Sequence, residues 1–308
     1  MEKKDRIKYL VDILNKYAYH YYTLDDPLIE DSEYDVLYDE LVNLEKETGI
    51  ILPNSPTNRI GGEVLSGFEK HVHLNTLYSL GKAQSKEEVR NWVDKTIEFV
   101  ENYNKNHVNK LPQVEFYVEF KFDGLTVNLT YDGGYLVMAT TRGNGTIGEV
   151  ITSQVRTINS IPLKIKDTRL MEIQGEGVMP LSSLEKYNQT HEPKLKNARN
   201  AAAGALRNLD PAFTRERNLD AYFYNVNYLE ENGIETQEQM MKFLGDNYFK
   251  LYPYEKHATS FEEISEFIDE IFELRNEIDV LTDGVVIKVN DFKTREKLGY
   301  TNKFPRWA

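Results

Sequence analysis

The segment Glu119-Phe-Lys121-Phe-Asp123-Gly124 places a lysine amine two residues from a carboxylate on either side. Side chains alternate along a strand, so Glu119, Lys121 and Asp123 share one face, and Gly124 lets the chain turn at once. A deprotonated amine is a good nucleophile toward phosphorus or a carbonyl. Flanking carboxylates favour the ammonium form, so the spacing predicts further cations or a metal ion nearby. K-x-D-G alone arises by chance in about one chain of this length in fifteen.

Three other clusters suit anions. Arg142-Gly143-Asn144-Gly145-Thr146-Ile147-Gly148 contains G-x-G-x-x-G and invites a dinucleotide-binding βαβ reading. The context opposes that reading. The preceding strand belongs to a hairpin closed at Asp132-Gly133-Gly134, and no parallel strand with an acidic ribose ligand follows Ile161-Pro162. The loop amides and Arg142 still suit phosphate. Asn197–Arg207 reads as a small-residue helix with Arg199 and Arg207 eight positions apart, on one side, where planar guanidinium groups can fork onto phosphate. In Thr282-Asp283-Gly284-Val-Val-Ile-Lys288-Val, a lysine on an apolar strand calls for an anionic partner.

The elements that position these groups follow from periodicity. Ile7, Leu10, Leu14, Tyr17 and Tyr21 form one helical stripe; Asp31 reads as the N-cap of a second helix with stripe Tyr34, Leu37, Leu41 and Leu44, closed by Gly49. The Pro- and Gly-rich run Leu52–Gly67 reads as a linker. Helical spacing returns over 86–101, and period two from Val114 predicts strands at 114–123, 125–131 and 135–141. A helix is expected over 149–158, strands at 169–176, 221–228 and 284–290, and helices near 181–189, 197–207, 235–247 and 260–276. Hairpins mixed with helices predict an α+β fold with mainly antiparallel sheets.

The chain has 308 residues, 37 Lys plus Arg against 50 Asp plus Glu, and a net charge of −13. That sum argues against a simple nucleic-acid binder. Its distribution is uneven: residues 1–50 hold 13 acids and 6 bases, whereas 287–308 hold 6 bases and 2 acids. Without Cys there is no disulfide, Cys-ligated zinc or thiol chemistry in this sequence. No apolar run approaches a membrane span, so no membrane partner and a cytoplasmic location are expected.

Taken in order, E-F-K-F-D-G, T-R-G-N-G-T-I-G-E, Q-G-E, A-R-N-A-A-A-G-A-L-R and D-G-V-V-I-K-V-N resemble the adenylation region of bacterial NAD-dependent DNA ligases. The amino-terminal Y-Y-T-L-D-D-P-L-I-E-D-S-E-Y-D and Ser79-Leu80 extend the match to essentially the whole chain. The resemblance implies a small helical subdomain and linker (1–67) that binds nicotinamide mononucleotide (NMN). A nucleotidyltransferase (ATP-grasp-like ligase) domain (68–308) would follow. It further implies that Lys121 attacks the adenylyl phosphorus of NAD to form lysyl–AMP and release NMN, with Asp123 beside the reacting phosphate. Glu119 would read the adenine amino group. Ser79, Leu80, Arg142, Glu176 and Lys288 would contact the nucleotide, and Arg199 and Arg207 the phosphates of DNA or nucleotide. Mg²⁺ would sit near Glu176 and Asp283.

Tyr21, Tyr22, Asp31, Tyr34 and Asp35 would form the NMN site, where a cationic nicotinamide ring suits tyrosine faces. Nicked duplex DNA is the expected partner of the longer enzyme. The family's OB-fold, four-Cys zinc module, helix–hairpin–helix and BRCT elements are expected beyond this sequence, which reads as a monomeric fragment. Departures are Tyr22 (often His), Phe120 and Phe122, Gln174 (often Arg) and Ala198 (often Pro). An ATP-dependent nucleotidyltransferase would share the lysine motif without needing the tyrosine- and aspartate-rich front end; a non-catalytic nucleotide- or DNA-binding module is the alternative of a different class.

Overall fold

A computed structural model describes residues 2–59 and 65–308. The front of the chain is a helical hairpin, α1 (Lys3–Tyr22) and α2 (Asp31–Thr48). Ile7, Leu10, Val11 and Leu14 of α1 are fully buried against Leu41 of α2. Arg6 forks onto Glu40 with two 2.6 Å bonds across the pair. The N-cap of α2 is Glu30, one residue before the expected Asp31. The Glu30 amide donates to the Glu33 carboxylate at 3.3 Å, which moves Asp31 into the first turn. Gly49 closes the helix at φ +68° as expected.

The expected linker is partly built structure. Ser55 is buried and donates to Glu45, and residues 56–59 form a tight turn. Arg59 then donates to the carbonyls of Ile158 (2.7 Å) and Ile161 (2.8 Å), docking the hairpin on the rest of the molecule. Tyr19 packs edge-on against Tyr248 at 5.0 Å. Ile60–Val64, which include Gly61 and Gly62 of that run, lie outside the described residues.

The remainder begins with β1 (Lys70–Val72) and α3 (Lys86–Asn106). Four strands follow: β2 (Phe116–Phe122), β3 (Leu125–Asp132), β4 (Tyr135–Thr141) and β5 (Ile147–Glu149). After α4 (Thr152–Arg156) and β6 (Met171–Val178) come three helices, α5 (Leu181–Thr190), α6 (Ala198–Leu206) and α7 (Pro211–Glu216). The chain continues through β7 (Asp220–Leu229), α8 (Gln237–Asp246), β8 (Lys256–Ala258) and α9 (Phe261–Leu274). It closes with β9 (Thr282–Val289) and α10 (Phe292–Leu298).

Every described strand pairing is antiparallel, in sheets ordered β4-β3-β6-β7, β8-β2-β9 and β1-β5. This is the α+β fold that the alternating pattern predicts. Two expectations shift. The helix expected over 149–158 shrinks to five residues, because 147–149 are taken up pairing with β1. The expected loop Arg142–Gly148 likewise ends as strand.

Strand β2 is buried on both faces. Phe116, Val118 and Phe120 pack into one core with α3 and α9, whereas Tyr117 belongs to the core of the four-stranded sheet. The strand is thereby gripped between two cores, and its end, carrying Lys121, opens onto the space between the sheets. Gly124 is required at the turn: a Cβ there would lie 2.1 Å from the carbonyl oxygen of Gly177 on β6.

Candidate active site

Between the two larger sheets lies a cavity of about 2180 Å³. Lys121, Asp123, Glu119, Arg142, Glu176, Arg199, Arg207, Asp283 and Lys288 all line it, with Ser79 and Leu80. Residues spread over more than two hundred positions of the sequence thus converge on one space.

Lys121 is not held by the neighbours that strand alternation suggests. Its Nζ donates to Asp283 Oδ1 at 2.5 Å, while Asp123 pairs with Arg199 Nε at 3.1 Å and Glu119 with Lys288 Nζ at 2.5 Å. The cause is a register shift. Lys121 faces Gly284 across the β2–β9 pair, but Phe122 faces Thr282, leaving Asp283 as the extra residue beside Lys121. Such bulges re-aim side chains. Each of the three carboxylates on the face now has its own cation. Arg199 and Lys288 are the further cations that the spacing called for, while Asp283 adds one more carboxylate beside Lys121. The Lys121–Asp283 pair is about 41% exposed on both sides and so contributes little to stability.

Glu119 and Lys288 are buried, at 8% and 5% exposure, which makes their pairing obligatory. Burial pushes the Lys288 amine down and Glu119 pulls it back up. β9 is an edge strand of its sheet, yet this lysine faces the interior, not solvent. Lys288 also donates to the carbonyl of Tyr224 at 3.3 Å. Tyr224 lines the cavity and its hydroxyl donates to Glu176 at 3.3 Å. Nothing in the local sequence of β7 distinguishes Tyr224 from its tyrosine neighbours, and it was not among the expected site residues.

Burial raises the Asp123 carboxyl against the pull of Arg199. Glu176 is raised further, to about 7, chiefly by burial; bonds from Thr126 and Tyr224 and the charges of Lys121 and Arg142 oppose that shift. A carboxyl with a folded-state pKa above its unfolded value binds protons more tightly when folded. Its contribution therefore favours the fold at low pH and is lost as pH rises from about 4.5 through about 7. Glu176→Gln should flatten that part of the decline in unfolding midpoint between pH 5 and 8. Parallel pH profiles in the two proteins would refute the assignment.

Arg142 is exposed on the cavity wall, in the turn between β4 and β5, where the antiparallel context excludes a dinucleotide-binding βαβ unit. Helix α6 buries Ala198, Ala201, Ala202 and Ala205 in the core, while Arg199 and the C-cap Arg207 line the cavity. Arg207 lies 3.7 Å from Glu149, a looser contact than that of Arg199. Gln174 accepts from Asn225 Nδ2 at 2.9 Å.

Tyr21, Tyr22, Asp31, Tyr34 and Asp35 sit apart from this cavity, on the helical hairpin. Tyr21 and Tyr22 are partly exposed with rings 4.8 Å apart, and Asp31 and Asp35 are exposed one turn apart on α2. Tyr34 is half-buried beside Tyr38, its hydroxyl pushed up to about 12 by burial. None of the five is on the wall that carries Lys121.

The described residues contain no group of three or more His, Cys, Asp or Glu that would cage a metal. Glu176 and Asp283 offer single oxygens. That suits Mg²⁺, which commonly binds one or two carboxylates together with substrate phosphates.

Two antiparallel sheets enclosing a cavity, with a strand lysine at its wall, are the arrangement expected of a ligase adenylation domain of the nucleotidyltransferase type. The family model of the NAD-dependent DNA ligase adenylation domain matches residues 65–308, and that of the DNA ligase-like, N-terminal NAD⁺-binding domain matches residues 1–61. The chain belongs to the NAD-dependent DNA ligase adenylation domain family.

It is 94% identical over 308 residues to a DNA ligase of Finegoldia magna and 50% identical over the same length to those of Clostridium tetani and Alkaliphilus metalliredigens. In each case all of this chain is covered but 46% of the relative, so the chain spans about half the length of the curated relatives it matches. No described helix is long and apolar enough to cross a membrane.

Proposed function

We propose that this chain takes AMP from NAD onto Lys121, for later transfer to the 5′-phosphate of a nick in duplex DNA by the longer protein. The observation that carries the proposal is the placement of Lys121 Nζ on the wall of a cavity that also holds the Asp123–Arg199 and Glu119–Lys288 pairs. The Nζ lone pair forms the P–N bond while the P–O bond to NMN breaks, and NMN leaves with the bonding electrons. The amine must first lose a proton. Asp283 Oδ1, already accepting from Nζ, is the nearest acceptor.

In this reading Glu119, held by Lys288, recognises the adenine amino group, and Tyr224 offers its ring to the base. Arg142 and the segment bearing Ser79 and Leu80 contact the nucleotide. Asp123 and Arg199 face the reacting phosphate, and Arg207 a phosphate of DNA or nucleotide. Mg²⁺ would be held by Glu176 or Asp283 together with the phosphates, where it neutralises their charge. The helical hairpin, residues 1–67 with its linker, holds the NMN half through Tyr21, Tyr22, Asp31, Tyr34 and Asp35; residues 68–308 hold the AMP half. A monomer in the cytoplasm suits this role.

Intact mass after incubation tests the reading. The expected outcome is a gain of one AMP with NAD and none with ATP. A gain from ATP as rapid as from NAD would make the chain an ATP-using transferase. No gain from either would leave a binding module.

A further inference from the structure

The segment between β1 and α3 lines the cavity as a strap, and two buried side chains outside the proposed chemistry fasten it. Glu172, on β6, has no solvent exposure. One of its oxygens accepts from the Leu74 amide at 3.0 Å and the other from Asn227 Nδ2 at 2.9 Å. Asn227 and Asn75 complete the fastening by donating to each other's backbone carbonyls, at 3.0 and 2.9 Å. His73 is 6% exposed. Its Nε2 lies 3.1 Å from the carbonyl of Arg142, which can only accept, so Nε2 carries a proton; Nδ1 faces Asn128 and Thr140 at 3.4 Å.

Backbone bonds run alongside. His73 donates to Thr146 at 2.9 Å and Leu77 to Gly145 at 2.8 Å. Gly145 has φ +94°, and a Cβ there would meet the Leu77 carbonyl at 2.8 Å, so the strap can lie this close only over glycine. The loop carrying Arg142 and the strap carrying Ser79 and Leu80 are therefore one zipped unit, riveted to the sheet at Glu172.

We propose that Glu172 and His73 are positioning residues that deliver Ser79, Leu80 and Arg142 to the nucleotide together; this rests on the proposed adenylation reading. Glu172→Gln tests it through donor and acceptor inventory. A glutamine has one acceptor oxygen for two incoming donors, so either the Leu74 amide or the Asn227 amide meets an NH₂ group. Binding energy removed equally from the ground and transition states changes half-saturation and not the maximal rate. Half-saturating NAD for self-adenylation should rise about tenfold or more, the size expected for one buried donor left unpaired, with the maximal rate little changed. Exchange of the Leu74 and Leu77 amides should quicken.

The double variant Glu172→Gln/Asn227→Asp restores the bond between these two side chains, since the new aspartate accepts from the glutamine NH₂, while it loses the bond that Asn227 donates to the Asn75 carbonyl. Both readouts should return part of the way toward wild type. If Glu172→Gln alone does not fold, Asn75→Ala, at an exposed position, removes one of the strap's bonds and should move half-saturation and exchange in the same direction. Wild-type adenylation with unchanged half-saturation in these variants overturns the positioning role alone. A wild-type chain that gains no AMP from NAD overturns the adenylation reading beneath it.

Discussion

Lys121→Arg should give a folded chain that gains no AMP from NAD at any concentration. Arginine keeps the positive charge facing Asp283, at a site about 41% exposed, so the fold loses little. The guanidinium does not deprotonate in proteins and offers no lone pair to phosphorus. Other lysines lie on the same cavity, which makes the test discriminating. Lys288 is buried and paired with Glu119, and Lys86 is bonded to Asp269. Intact mass followed by peptide mapping reads the result. An adduct in the arginine variant, on any lysine, would move the nucleophile elsewhere and dissolve the role given to the Lys121–Asp283 pair.

The second large effect lies on the helical hairpin. Asp35→Ala should suppress AMP transfer from NAD by about two orders of magnitude or more, the scale of a charged hydrogen bond lost within a desolvated complex. The reverse reaction, NMN with preformed lysyl–AMP, should fall equally because it passes through the same transition state. Asp35 is exposed and its side chain makes no hydrogen bond or ion pair among the described residues, so its removal should leave the unfolding midpoint almost unmoved. Tyr34 is a less clean probe, since it packs against the core of the hairpin. Unchanged transfer from NAD in Asp35→Ala would show that the hairpin does not hold the nicotinamide half through this residue.

Most of the fold was legible because its long elements announce themselves by period: the stripes of α1 and α2, and the alternation of β2 to β4. What escaped was short or relational. β1 and β5 are three residues each and exist by pairing across some seventy-five positions of chain, which no local pattern encodes. Most charged residues of the cavity wall were legible in the sequence, but their pairings were not. Alternation put Lys121 between Glu119 and Asp123, whereas a bulge against the distant strand β9 gave it Asp283. Glu172 and Asn227 carried no local signal, because an acid and an amide in a strand read as a solvated face until the segment they bond is known.

The separation between the tyrosine and aspartate patch on the hairpin and the cavity that carries Lys121 bears on how a donor would be chosen. A molecule that touches both surfaces is a bivalent ligand. Once one end is seated, the other meets its surface at an effective concentration set by the connecting chain, of millimolar order for a short flexible tether. NAD has two nucleotide ends and would collect this gain. ATP has one, and would bind as a monovalent competitor however well its adenine fits. Donor choice would then arise from the distance that a substrate can span, with no need for the cavity itself to reject a triphosphate.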